Sequence, residues 1–189
     1  GKIVKEHPES PLAPSAKAFL VEILLRDEVS GKTRSEAIQE YKTLLRDHPQ
    51  SPNARRAEWR IADLYLKQGA LQEAQAFYEN AMAHSVNLPF DSNRALLGLG
   101  YTFMAMGKWS EAEHAFANVR KRSEDEQLLQ GATLGLAHAL FREERFFEAQ
   151  PIYNLSYQRW PHLLRGDPFS LQRYAVTQVK LHQEVSARE

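Results

Sequence analysis

The dipeptide Glu-Ala occurs four times at a nearly constant interval, as Glu36-Ala37, Glu73-Ala74, Glu111-Ala112 and Glu148-Ala149. The alanines stand 37, 38 and 37 residues apart, and four residues after each comes a ring: Tyr41, Tyr78, Phe116 and Tyr153. Four residues is about one helical turn, so each unit puts a small side chain and a ring on one helix face. Self-similarity at such a period predicts a stacked-repeat architecture. Repeat stacks usually build extended binding surfaces rather than catalytic pockets.

The 189 residues suffice for one domain of ordinary size, and 43% hydrophobic with 25% charged is normal for a globular protein. Lys+Arg and Asp+Glu balance at 24 each, so the basic excess of a nucleic-acid binder is missing. No apolar run approaches the roughly 18 residues of a membrane span, which argues against direct membrane insertion of this segment. Without cysteine, disulfides and thiolate metal sites are excluded, and cytoplasm and periplasm both remain open. The chain begins at Gly1 rather than at an initiator methionine, which predicts a piece of a longer protein.

Apolar residues recur at three and four positions throughout, and sustained alternation is missing, so the fold class is all-α. Ser10-Pro11, Ser51-Pro52 and Asp167-Pro168 each put a capping side chain before a proline suited to the first helical position. Thr33 with Glu36, Ser110 with Glu113, and Ser123 with Glu126 have capping-box spacing. Gly69 and Gly107 suit left-handed helix ends. These signals predict nine helices, over about 11–27, 34–47, 53–67, 71–84, 92–106, 109–121, 126–142, 145–159 and 168–183. They pair as A and B helices of four repeats, about 11–49, 53–84, 92–122 and 126–161, plus a capping helix over 168–183. A long connection from Asp27 to Thr33 joins the first pair, and a loop from Ser85 to Asp91 separates the second and third repeats. No composition break divides the chain, so one domain over 1–189 is expected.

The spacing resembles the tetratricopeptide repeat family over nearly the whole chain. The second repeat carries Ala57, Ile61, Ala62 and Tyr65 on helix A, Gly69 at the turn, and Ala74, Tyr78 and Ala81 on helix B. The third supplies Leu96, Leu99, Gly100, Phe103, Gly107, Ala112 and Phe116, and the fourth Leu136, Ala137, Leu140, Ala149, Tyr153 and a terminating Pro161. The first is degenerate on helix A but keeps Ala37, Tyr41 and Pro49. The resemblance implies a right-handed superhelix in which the alanine lies at a helix crossing and the ring fills the space towards the next repeat.

Glu6-His7-Pro8-Glu9-Ser10-Pro11 and Asp47-His48-Pro49-Gln50-Ser51-Pro52 are near copies 41 residues apart. This hinge is similar to repeats of bacterial cell-envelope proteins, such as the outer-membrane assembly lipoprotein and Tol–Pal coordinator families. That similarity implies a periplasmic or envelope setting, while the short hinge also suits a repeat array of any origin. Pro8 sits where Pro49 closes a helix B, so Lys2 to Glu6 are expected to be the stub of a preceding helix, with a short ordered leader as the alternative.

In this family the concave groove is lined mainly by helix A. The resemblance therefore implies Arg56, Trp59, Arg60, Asp63 and Lys67 or Leu66 from the second repeat, and Arg94, Leu97, Tyr101 and Met104 from the third. The fourth supplies Leu134, His138, Phe141 and Arg142, and the first adds Phe19, Glu22 and Arg26. Rings, a methionine and arginines suit a peptide with apolar anchors and an acidic group, and Trp, Tyr and Arg are enriched at binding hot spots. Inter-repeat packing is the competing role for Trp59, Leu97 and Phe141, with the last helix occupying part of the groove. The carboxylate clamp of chaperone-binding members is absent, because Asp63, Tyr101 and His138 stand at the positions where it needs asparagine.

No phosphate loop, dinucleotide fingerprint or zinc-protease motif occurs. The seven histidines are scattered, and His114 with Glu111 makes too poor a ligand set for a metal. Glu124-Asp125-Glu126 and Glu143-Glu144 suit helix edges, and Arg120-Lys121-Arg122 a basic helix end. Arg55, Arg56 and Arg60 form a modest positive patch, read first as a solvated face and second as an anion site. The expected function is a non-catalytic protein-interaction module without cofactor or metal, binding a protein or peptide and no nucleic acid. The alternatives are a self-associating envelope scaffold, forming a homo-oligomer, and a regulatory domain of an enzyme.

Overall fold

The computed structural model describes residues 10–27 and 31–186, with the side chains of Leu24, Arg26, Asp27, Gly31, Lys32 and 184–186 left out of the description. The expected stub over Lys2 to Glu6, Pro8 and the side chain of Arg26 lie outside the described residues. Ten helices and no strand occupy what is described: α1 Ala13–Asp27, α2 Gly31–Asp47, α3 Pro52–Gln68, α4 Leu71–His84, α5 Pro89–Ala105, α6 Trp109–Arg122, α7 Glu126–Arg142, α8 Phe146–Arg159, α9 Pro161–Gly166 and α10 Pro168–Ser186. The chain divides into two compact units, Gly1–Gly98 and Leu99–Glu189.

In the first unit α1, α2, α3 and α4 pack in sequence order, and α1 also reaches α3. Its core joins Val21, Ala37, Ile38, Tyr41, Leu44, Ala57, Ile61 and Leu64. Burying a side chain the size of Leu44 or Ile61 contributes about 1.5–3 kcal/mol. In the second unit α7 packs on α6 and α8, while α9 and α10 close over α8. Here Phe116, Val119, Leu136, Leu140, Tyr153 and Leu164 are buried.

The turns explain the Glu-Ala repeat. Helix α3 ends at Gly69 with φ 77°, and the amides of Gly69 and Ala70 return to Leu66 and Tyr65. The turn after α5 uses Gly107 with φ 75°, its amides bonding to Met104 and Phe103. The turn after α7 uses Glu144 with φ 59°, although a left-handed backbone is unfavourable for a residue with a Cβ. Each tight turn feeds straight into a helix B, so Glu73, Glu111 and Glu148 lie in its first turn, beside the positive end of the helix dipole. The next residue, Ala74, Ala112 or Ala149, donates the early amide bond back to Ala70, Lys108 or Arg145. All four repeat alanines are completely buried, as are Tyr78, Phe116 and Tyr153, with Tyr41 at 1% exposure.

Several local expectations need correction. Helix α2 begins at Gly31, so Thr33 sits inside it and cannot cap it with Glu36. Ser110 lies one residue inside α6, whose cap position is Lys108 with no side-chain bond. Asp125, not Ser123, caps α7 by accepting from the Leu128 amide at 2.9 Å. Pro11 precedes α1 in a turn rather than opening the helix. Helix α5 starts at Pro89, shortening the expected loop, and Pro161 opens the extra helix α9 instead of only ending a repeat. Ser51 and Asp167 do cap their helices, accepting from Ala54 and from Phe169 and Ser170. The B helices α4, α6 and α8 forgo side-chain caps because the preceding turn, closed by backbone bonds, decides where they begin.

Rings of helix B press against helix A glycines. An added Cβ on Gly98 would lie 2.2 Å from Cζ of Tyr78, and one on Gly135 would lie 2.6 Å from Phe116. Alanine favours a helix interior over glycine by about 1 kcal/mol, so an open position would gain from the change. Gly98→Ala is instead expected to destabilise the protein by about 1–3 kcal/mol, because Tyr78 is fully buried and has no room to yield. Urea unfolding measures the sign directly, and a stabilised Gly98→Ala protein would refute the packing.

Candidate functional site

Tyrosine at a ring position brings a hydroxyl that needs a partner once buried. Helix A supplies it in the first unit. Tyr41 donates to Glu22 of α1 at 2.6 Å, and Tyr78 donates to Asp63 of α3. Burial pushes both phenols above their ordinary range, and the nearby Asp63 charge adds to it. In the second unit the hydroxyl of Tyr153 has no hydrogen bond among the described residues, and Phe116 needs none.

These acceptors anchor a charged cluster on α3 and its neighbours. Asp63 also takes Arg94 of α5 at 2.5 Å, and Glu22 pairs with Arg60. Burial raises the Asp63 pKa, opposed by Arg94 and by the Tyr78 hydrogen bond. Burial also lowers that of Arg60. Two guanidiniums approach the indole of Trp59, Arg60 at 5.0 Å and Arg94 at 4.9 Å from the ring, and its Nε1 donates to Asp91 at 3.3 Å. Arg56 approaches Asp91 at 3.7 Å, with 55% of its side chain exposed. Beside this stack a cavity of about 200 Å³ is lined by Phe19, Glu22, Tyr41, Asn53, Arg56 and Arg60, among others. Phe19 is 64% exposed.

The first unit therefore brings together Arg56, Trp59, Arg60, Asp63 and Arg94 from the expected set. Leu97 is buried there, in a packing position. Asp91 was not among the expected residues. Its helix begins three residues before the expected start, which moves Asp91 from a loop into the first turn of α5.

In the second unit Tyr101 is 38% exposed, donates to the Gly131 carbonyl at 3.1 Å and packs edge-on against Phe116. Met104 and Leu134 are half-buried. Phe141 packs edge-on against Phe146, and exposed Arg142 lies over Trp109 at 4.7 Å. His138 is 9% exposed, with Nε2 3.0 Å from Ser170 Oγ of α10 and its ring beside Tyr153. The last helix thus covers His138. Its pKa falls to about 4, first through burial and then through Arg173, with Asp167 acting in the opposite sense.

The acidic and basic runs fall at helix ends. Asp125 and Glu126 start α7, where Glu126 receives Arg159 at 2.9 Å and the Trp160 indole at 2.5 Å. Arg120, Lys121 and Arg122 close α6. Arg145 gathers Glu113, Glu143 and Glu148 at the last A–B turn. The Arg55, Arg56 and Arg60 patch separates: Arg56 and Arg60 join the Trp59 cluster, and Arg55 lines another cavity. Among the described residues no group of three His, Asp or Glu could hold a metal ion, and no helix is long and apolar enough to cross a membrane.

The family model for the tetratricopeptide repeat matches residues 30–83 and 97–163, more than half of the chain. No curated protein sequence matches. Among solved structures, a tetratricopeptide repeat protein from Parabacteroides merdae is 19% identical with a TM-score of 0.68, covering 98% of this chain. This chain spans only 65% of that protein's length. The protein pilF of Pseudomonas aeruginosa is 18% identical with a TM-score of 0.67, over 98% of this chain and 85% of its own. YrrB, a repeat protein with an unusual peptide-binding site, is 14% identical with a TM-score of 0.64, over 96% and 82%. At these identities the likeness is one of fold. Together with the family match and the helix pairs described above, it makes this chain a member of the tetratricopeptide repeat family.

Proposed function

We propose that the chain binds an extended segment of a protein partner along the α1–α3–α5 face of its first unit. The family generally serves in protein–protein interaction and as non-catalytic scaffolds. The observation that carries this reading is Trp59, fixed by Arg60, Arg94 and Asp91, beside the cavity edged by Phe19. A ring fixed in advance loses little side-chain entropy when it is covered. Phe19 and Trp59 suit an apolar anchor. Arg56, more than half exposed and only loosely paired, suits a partner carboxylate at the rim.

The test is a peptide array probed with the purified protein. Sequences joining an apolar residue to Asp or Glu are expected to be retained. Arg56→Ala with Trp59→Ala should weaken retention at least tenfold, roughly 1.4 kcal/mol, while circular dichroism keeps its helical signal. Arg60 is left in place because it holds Glu22. Unchanged retention by the double variant would sink the proposal. The scaffold alternative draws on exposed Leu12 just before α1, Phe19 and Ile23 of α1, and Phe169 and Val179 of α10. It predicts a light-scattering mass that rises with concentration and is indifferent to Arg56→Ala.

A further inference from the structure

A second cavity in the first unit, of about 470 Å³, lies between the end of α2, the hinge, the start of α3 and the end of α4. Its lining is Leu45, Pro49, Gln50, Arg55, Glu58 and His84. A volume of this order holds a small ligand or a residue or two of peptide. The polar groups are not equivalent. Glu58, 8% exposed, directs both carboxylate oxygens at Nδ1 of His84, at 2.8 and 3.0 Å. That contact occupies Nδ1 and leaves Nε2 as the other polar atom of the ring. Arg55 stands one turn before Glu58 on α3, yet it makes no ion pair with a described residue, and its Nε is shut from solvent with no hydrogen bond among them.

A guanidinium presents a planar fork that matches a carboxylate. A buried N–H without an acceptor is unfavourable, so the Arg55 guanidinium is short of a partner within the described protein. Leu45 and Pro49 add apolar walls, and the Gln50 amide a further donor. Glu58 repels an anion, but its charge faces His84, so the favourable place for a carboxylate is on the Arg55 side. The site shares no lining residue with the cavity beside Trp59 and uses none of the residues proposed above for partner binding.

We propose that the Arg55 cavity binds a carboxylate carried on a short aliphatic body, as a peptide C-terminus or an acidic side chain presents it. The recognition has two parts. The Arg55 fork takes the two oxygens, while Leu45 and Pro49 cover the aliphatic carbons. His84, oriented by Glu58, lies on the cavity wall and limits its width.

N-acetyl-leucine, N-acetyl-leucinamide and N-acetyl-aspartic acid α-amide are titrated into the full chain while the Leu45 methyl and His84 ring resonances are followed by NMR. N-acetyl-leucine should shift both resonances saturably, and the neutral leucinamide should bind at least tenfold more weakly. The aspartic acid α-amide is compared with N-acetyl-alanine, which equally lacks the isobutyl group: comparable binding assigns the site to any carboxylate, and weaker binding assigns it to a chain terminus. Arg55→Gln should weaken N-acetyl-leucine at least tenfold, whereas Arg46→Gln, the same charge loss on neighbouring α2, should leave it unchanged. Equal affinity for acid and amide overturns the proposal without any variant. So does undiminished binding by Arg55→Gln, or a response confined to residues outside the cavity.

Discussion

Asp63→Ala is expected to destabilise the first unit by about 2–4 kcal/mol in urea unfolding. Two groups lose their acceptor together. The hydroxyl of Tyr78, in a ring with no exposed surface, is left unbonded, and Arg94 loses the carboxylate 2.5 Å away. An unsatisfied buried hydroxyl alone costs about 1–3 kcal/mol. The Arg94 contribution is smaller than for a fully buried pair, since about a quarter of each side chain remains exposed. Burial raises the Asp63 pKa despite both partners, so the charged form is itself held at some cost. Asp63→Asn, which keeps an acceptor for Tyr78, should therefore lose roughly half as much, about 1–2 kcal/mol. Adding Tyr78→Phe to Asp63→Ala should recover part of the loss. Destabilisation below about 0.5 kcal/mol for Asp63→Ala would mean that the cluster is ornamental to the fold.

Acidification from pH 6.5 to pH 4 should lower stability through His138 by about 3 kcal/mol in total. The ring titrates near 6.5 in an unfolded chain and near 4 beneath α10. Between those values the unfolded chain takes up a proton that the folded protein refuses. The contribution is fully present above the unfolded pKa and disappears as pH falls through the window. The surrounding groups are consistent with this sign. Arg173 of α10 opposes the imidazolium, while Asp167 favours it and Ser170 and Tyr153 are neutral contacts. Asp167 itself is held below the usual carboxylate range, first by the Ser170 hydrogen bond, so its own loss comes at lower pH. Unfolding curves for wild type and His138→Gln across this range check the assignment. The wild-type slope should flatten in the variant, and identical slopes would show that His138 titrates as though exposed.

The repeat and its rings were legible because they are local. Ala74, Ala112 and Ala149 must be small wherever two helices cross after a tight turn, and each turn lies within the same stretch of sequence. Gly69 and Gly107 announced two of those turns, and Glu144 hid the third by taking a left-handed backbone without being glycine. The capping boxes misled for a related reason. A Ser or Thr followed by Glu three residues later is common on a polar helix surface, whereas the start of a helix B follows from the turn before it. Helix α9 escaped notice because proline both ends one helix and opens another.

The candidate site divides in the same way. Helix A spacing put Arg56, Trp59, Arg60 and Asp63 on neighbouring positions of α3, and they do meet in one cluster. It could not show that Asp91 receives the Trp59 indole, that Glu22 and not a ligand takes Arg60, or that α10 covers His138. Nor could it separate Arg55 from Arg56, adjacent in sequence and lining different cavities. By itself the sequence determined the helix pairs, their period and the small and aromatic residues that let them stack, since these depend on spacing within a few turns of chain. Only the tertiary structure decided which polar groups satisfy one another and which remain available. Those pairings join residues 15 to 38 positions apart, on helices whose rotation and separation are settled by packing.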